Sequence, residues 1–143
     1  PLYGGNRGDS RLTSLAEALN ARGIECLRFD YGDWDDGVGE TQDVIEAVEY
    51  AGENWGRVAL FGYSFGTVVA SNALDDISDE IEALGLLAPP DEVADNLGGA
   101  SLAIPVYAVA GERDTTVDSS RVIESIENAE WLEADHFYVG RVS

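Results

Sequence analysis

The chain has 143 residues, room for one domain and one real core. Its 45% hydrophobic content excludes a disordered tail, and no apolar run is long enough for a bilayer-crossing helix. Acidic residues outnumber basic ones 28 to 8, for a formal net charge of −20, and the basic residues are all arginine because lysine is absent.

The acids are spread along the whole sequence, so their mutual repulsion opposes a compact state in dilute buffer. At 1 M salt the Debye length is only ~3 Å, which removes most of that cost. This composition points to a protein that works in concentrated salt, as in salt-accumulating cells. No basic patch exists to neutralise phosphates, so nucleic acid is excluded as a partner, and a membrane is not expected either. Without lysine there is no P-loop, and no G-x-G-x-x-G pattern is present for a dinucleotide. No charged-then-apolar leader reads as a signal peptide, and the expected location is the cytoplasm. The lone Cys26 has no partner for an internal disulfide and reads as a small buried hydrophobe.

In chain order, Ser10 is placed to cap a helix through Leu12, Leu15, Ala16 and Leu19, with Gly23 just past its end. Glu25–Asp30 reads as a short strand. An acidic loop with Gly32, Gly37 and Gly39 leads to a helix from about Glu40 to Asn54, whose Val44, Ile45, Val48 and Ala51 have helical spacing. Arg57–Phe61 is an apolar strand ending at a glycine-rich turn, and a helix follows from Phe65 to about Leu74. Ile81–Leu87 is the next strand, closed by Pro89 and Pro90. A short irregular segment precedes a strand over Pro105–Ala110. The last helix covers about Asp118–Glu127, and Glu130–Leu132 makes the final strand. Apolar strands alternating with amphipathic helices predict an α/β fold, an open and mostly parallel sheet with helices on both faces. In such sheets the chemistry sits outside the carboxyl ends of the strands.

The turn after the Arg57–Phe61 strand reads Gly62-Tyr63-Ser64-Phe65-Gly66. A G-x-S-x-G pattern alone is a weak signal. Placed between an apolar strand and a helix, it holds a serine on a sharp turn with its hydroxyl exposed, and the flanking glycines avoid clashes with helix and strand. The backbone N–H of Phe65 then faces the position where an oxyanion would form. A serine needs a base, and His136 is the only histidine. It follows the last strand, in a loop at the carboxyl edge of the sheet. The acid that orients it should end the preceding strand, where Asp114 is the first choice and Glu112 and Asp118 are the alternatives. Nucleophile, acid, then histidine resembles the chain order of the α/β-hydrolases.

These motifs, with Pro1–Asn6, Leu27–Asp30, Phe61–Gly66, Leu87–Pro90, Gly111–Asp114 and Ala134–Phe137, resemble a small, lidless subgroup of the α/β-hydrolase superfamily related to the dienelactone-hydrolase-like proteins. The resemblance implies a single hydrolase domain over residues 1–143 that cleaves an ester, thioester or related acyl compound through Ser64, His136 and Asp114. It implies no metal and no organic cofactor, and a small-molecule acyl substrate as partner, without fixing an oligomeric state. Dienelactone hydrolases carry a cysteine at the elbow, so Ser64 argues against that particular activity. The loop at Pro1–Asn6 is expected to give the second oxyanion N–H, from Leu2 or Tyr3, since Pro1 has none.

In the family a strand precedes that loop and sits beside the nucleophile strand, and a helix follows the histidine. The sequence supplies neither, so an internal piece of a longer product is expected, with apolar sheet surface exposed. A non-catalytic hydrolase-like module is the competing expectation. The short Pro90–Ile104 stretch implies an open site without a lid, with Trp34, Tyr63, Phe65 and Phe137 available to line it. The carboxylates of residues 30–37 lack calcium-loop spacing and read as a solvated loop, and no Cys/His cluster supports zinc.

Overall fold

Four strands pair in parallel and in chain order: β1 (Val58–Tyr63), β2 (Ile81–Leu87), β3 (Val106–Gly111) and β4 (Asn128–Leu132). The structure, a computed structural model, describes residues 5–99 and 103–140. Helices α1 (Ser10–Asn20), α2 (Val38–Trp55), α3 (Phe65–Asn72), α4 (Leu74–Ile77), α5 (Val93–Gly99) and α6 (Ser120–Ser125) complete the described part.

Each strand is joined to the next by a helical connection, and each step moves the same way across the sheet. Right-handed crossovers then put all the connecting helices on one face. Contacts follow that rule: α3 packs on β1, α6 on β3 and β4, and α2, α3, α5 and α6 touch one another in series. The register divides the strand residues accordingly. Leu60, Leu84, Leu86 and Ala108 point to the helical face and join Val44, Val48, Val69, Ala70 and Val122 in the main core. Tyr63, Leu87, Val109 and Leu132 point the other way and pack on a second cluster of Ala88, Ala134 and Tyr138. Near-perfect burial of Leu84, Leu86, Val69 and Val122 makes the first cluster the stabilising one, at ~1.5–3 kcal/mol per fully buried aliphatic side chain. The first turn of α1 stands at the second face. Lower on that face, Phe61 and Tyr107 remain substantially exposed.

Several element boundaries differ from those expected. Asp9 rather than Ser10 caps α1, its carboxylate accepting from Arg11 N. The helix after the elbow breaks at Ala73 into α3 and α4. The Pro90–Ile104 stretch holds a helix, α5, because Val93 is fully buried and anchors a turn against α3. The last helix is shorter and the last strand longer than predicted.

The larger difference is at Glu25–Asp30. Among the described residues this segment pairs with no strand, although its composition suits one. A strand requires a hydrogen-bonded neighbour, and the segment is held by side chains instead. Asp30 accepts from Arg7 N at 2.6 Å, and the Arg28 guanidinium donates to Thr13 Oγ1 and the Arg7 carbonyl. Ile24 and Leu27 are about half exposed as a result, and Cys26 is half-buried rather than buried.

The acidic loop has structural duties. Glu40 is completely buried and accepts from Asp35 N and Gly37 N, which fixes the entry into α2. Asp43 accepts from Gly32 N. Among the described residues no group of three or more His, Cys, Asp or Glu side chains is gathered to hold a metal. No helix there is long and apolar enough to cross a membrane.

Candidate active site at the carboxyl edge of the sheet

Ser64 sits between β1 and α3 with φ 51° and ψ −119°, a conformation a non-glycine residue adopts only under constraint. Three contacts impose it. Ser64 N donates to Leu87 O at 2.8 Å, which ties the turn to the end of β2. The buried Thr67 returns both its N–H and its hydroxyl to Ser64 O, at 2.8 and 2.6 Å. Behind the serine, a Cβ on Gly62 would lie 2.6 Å from Gly66 O, so only glycine lets strand and helix approach this closely. Gly66 is different. A Cβ there would meet only the Tyr31 hydroxyl at 3.6 Å, an ordinary contact, so the expected clash exists at the first glycine alone. Phe65 opens α3, and its N–H has no helical acceptor by position.

Asp114 follows β3 in a turn that its own carboxylate organises. Its Oδ1 accepts from Thr116 N and Val117 N at 2.7 and 3.1 Å. Its Oδ2 meets His136 Nδ1 at 2.7 Å, with the two side chains 4% and 7% exposed. An ionised carboxylate only accepts, so the shared proton belongs to Nδ1 and Nε2 is left as the basic nitrogen. The alternatives are placed elsewhere. Glu112 is exposed, and Asp118 caps the turn into α6 by accepting from Ser120 N, a bond that holds its carboxyl below the usual range.

Histidine and serine follow β4 and β1, the outer strands among the described residues, three spacings of about 4.8 Å apart. The loop after β4 must therefore return across the sheet edge. It does so in close contact. A Cβ on Gly111 would lie 2.5 Å from Ala134 O, and Arg113 N donates to the same carbonyl at 3.0 Å. Tyr138, buried and at φ 52°, wedges beneath the loop against Ala88, and its hydroxyl is 3.4 Å from Val109 O. Burial pushes the Tyr138 hydroxyl well above the usual tyrosine range. The far end of the loop reaches β1, where Tyr63 donates to the His136 carbonyl at 2.9 Å.

Asp114 and His136 are thus joined directly, and the serine's neighbour is joined to the histidine's main chain. Among the described residues the Ser64 hydroxyl makes no hydrogen bond to the His136 ring. Contacts of this type commonly close only when substrate is bound. Leu2 and Tyr3, the expected second oxyanion donors, lie outside the described residues.

One flank of Ser64 is aromatic. Phe65 packs on Tyr31 and Trp34 at centroid distances of 6.3 and 5.1 Å, and Phe29 packs edge-on to Tyr31. On the other flank Phe137 packs edge-on to His136 at 5.3 Å. Two further residues had no sequence signal. Arg11 donates to the Tyr63 hydroxyl at 3.0 Å, and Asp9 holds that arginine through both carboxylate oxygens. They lie 52 and 54 positions before Tyr63, and only the contact of Arg11 with Tyr63, made from the start of α1, brings them to the site.

No protein-family model matches the chain, and no curated protein does. Solved structures do match. An alpha-beta serine hydrolase homologue from Coxiella burnetii is 28% identical, with a TM-score of 0.83, over 99% of this chain and 75% of its own. A protein of unknown function from Agrobacterium tumefaciens, assigned only provisionally as an alpha/beta hydrolase, is 24% identical with a TM-score of 0.84, over 99% of this chain and 74% of its own. Est1E from Butyrivibrio proteoclasticus is 20% identical with a TM-score of 0.81, over 97% and 78%. With its parallel sheet, its one-sided crossovers and these likenesses, the chain has the fold of the α/β hydrolases.

Proposed function

We propose that the chain is a serine hydrolase that cleaves an ester, thioester or related small acyl compound. The 2.7 Å contact between Asp114 and His136, on the same rim as the strained Ser64, carries this reading. Ser64 Oγ attacks the acyl carbonyl carbon while His136 Nε2 takes its proton. The oxyanion that forms is received by the Phe65 N–H, with Leu2 or Tyr3 as the second donor. His136 then gives the proton to the departing oxygen or sulfur, which leaves an acyl-Ser64 ester. Water repeats the sequence with the same base and releases the acid. Asp114 holds the imidazole in the Nδ1–H form throughout and stabilises its protonated state.

This chemistry calls for no metal or organic cofactor. The aromatic flank of Trp34, Tyr31 and Phe65 would take the acyl group. The proposed medium is a salt-rich cytoplasm, on the strength of the −20 charge and the absence of lysine.

The test is the time course of p-nitrophenol release from p-nitrophenyl acetate in ~3 M KCl, where surface charge is screened. A burst of about one equivalent per chain, absent in Ser64→Ala, is expected of an acyl-enzyme route. The unclosed Ser64–His136 contact favours one other reading, a non-catalytic module of this fold. Equal slow release by wild type and Ser64→Ala would select it.

A further inference from the structure

The base loop spans the whole carboxyl edge, and most of its ties hold the end near β3. Only the Tyr63 hydroxyl, among the contacts described above, binds the main chain of His136 itself to the nucleophile strand. Tyr63 immediately precedes Ser64, so any movement of that hydrogen bond moves the imidazole relative to Oγ.

Tyr63 is in turn held by a short chain of charged groups. Arg11 lies over its ring, with the guanidinium carbon 4.5 Å from the centroid, and donates to its hydroxyl. The same guanidinium is 5.5 Å from the Phe137 ring centroid, so it touches both sides of the contact. Asp9 orients Arg11 through a two-point pair in which both side chains are only 16% exposed. A fork of this kind fixes direction as well as distance. Donation from a cation into the Tyr63 oxygen also polarises that hydroxyl and strengthens its bond to the carbonyl. Burial raises the Tyr63 hydroxyl above its ordinary range, so it remains protonated and able to donate.

We propose that Tyr63 and Arg11 are positioning residues: the Asp9–Arg11–Tyr63 chain clamps the His136 main chain to the residue before the nucleophile and sets the reach of its imidazole to Ser64. The proposal rests on the serine-hydrolase reading for its kinetic consequence, though not for its geometry. Neither residue supplies a reacting atom: the Tyr63 ring packs on the His136 imidazole with centroids 5.5 Å apart, and Arg11 acts through Tyr63. Their loss therefore lowers turnover and leaves substrate binding nearly intact, since a misplacement of about 1 Å can cost ~10²-fold in rate. Because Arg11 acts through the Tyr63 hydroxyl, its loss costs nothing further once that hydroxyl is gone.

The experiment compares wild type, Tyr63→Phe, Arg11→Met and the double variant in ~3 M KCl, where surface charge is screened. Tyr63→Phe keeps the ring, and Arg11→Met keeps the apolar stem. The kinetic arm measures kcat and KM for p-nitrophenyl acetate. We expect kcat to fall ~10–100-fold in each single variant, KM to change less than about two-fold, and the double variant to match Tyr63→Phe. Wild-type kcat in Tyr63→Phe, or losses that multiply in the double variant, would overturn the clamp. The second arm needs no activity: amide hydrogen exchange across residues 134–138. Faster exchange in both single variants supports the clamp, and unchanged exchange overturns it. If wild type itself hydrolyses nothing, the serine-hydrolase reading fails, and the exchange arm still decides the clamp.

Discussion

At the scale of single residues, the elbow stores strain that its surroundings must hold. The left-handed conformation of Ser64 costs of order 1–3 kcal/mol, and the Leu87 and Thr67 bonds offset it. Gly62→Ala would push a methyl into the Gly66 carbonyl 2.6 Å away. We expect it to destabilise the fold by ~1–3 kcal/mol or to prevent folding. Gly66→Ala has room, and we expect it to leave stability unchanged or to raise it by up to about 1 kcal/mol. Chemical denaturation of the two variants in concentrated salt checks both outcomes, and equal losses would contradict this account of the turn. Tyr31 gives a pH test. Burial first, then the nearby Glu40 and Asp43 carboxylates, push its hydroxyl up to about 12. A group raised in the folded state contributes stability that is complete below its unfolded value near 10 and is lost as pH climbs toward 12. Tyr31→Phe should therefore flatten the loss of stability between pH 10 and 12. An alkaline melting profile identical to wild type would contradict this.

At the scale of elements, the histidine loop depends on a missing side chain. Gly111 ends β3 directly under Ala134 O, and a methyl there would sit 2.5 Å from that oxygen. Gly111→Ala is expected to lift the loop and cut turnover ~10²-fold, while the main core on the opposite face keeps the chain folded. Esterase activity beside circular dichroism checks this, and full activity would contradict it. Much of this element was readable in the sequence. The strand, glycine-flanked turn and helix around Ser64 were readable in succession, and so was the place of His136 in the loop after the last strand. Asp114 was only a first choice over Glu112 and Asp118 in the sequence, because all three follow β3 closely and only the folded loop sets one of them 2.7 Å from His136. Ile81–Leu87 was delimited correctly because an apolar run between turn residues is a local signal. Glu25–Asp30 was not, because pairing belongs to the neighbour as much as to the segment. Helix α5 was missed because its burial comes from α3, which periodicity over seven residues does not reveal. The Asp9–Arg11–Tyr63 chain was invisible for the same reason, being purely a product of tertiary packing.

At the scale of the whole molecule, charge dominates. With a net charge of −20 and few cations to offset it, the folded chain repels itself, and the Debye length decides how strongly. Among the described residues five acids pair with arginine, and four of these pairs, Asp30 with Arg7, Glu82 with Arg57, Asp95 with Arg121 and Glu133 with Arg113, are exposed and of small individual worth. The melting temperature is therefore expected to rise by ~10 °C or more between 0.1 M and ~3 M KCl, and scanning calorimetry at the two salt levels checks it. A melting temperature independent of salt would contradict the reading of the surface.

The central claim is that Ser64 is an activated nucleophile, and covalent labelling tests it most directly. In concentrated KCl, a fluorophosphonate probe is predicted to modify the folded chain once, at Ser64 by peptide mapping, and to leave Ser64→Ala unmodified. A chain shown by circular dichroism to be folded, yet unlabelled under those conditions, would contradict the account.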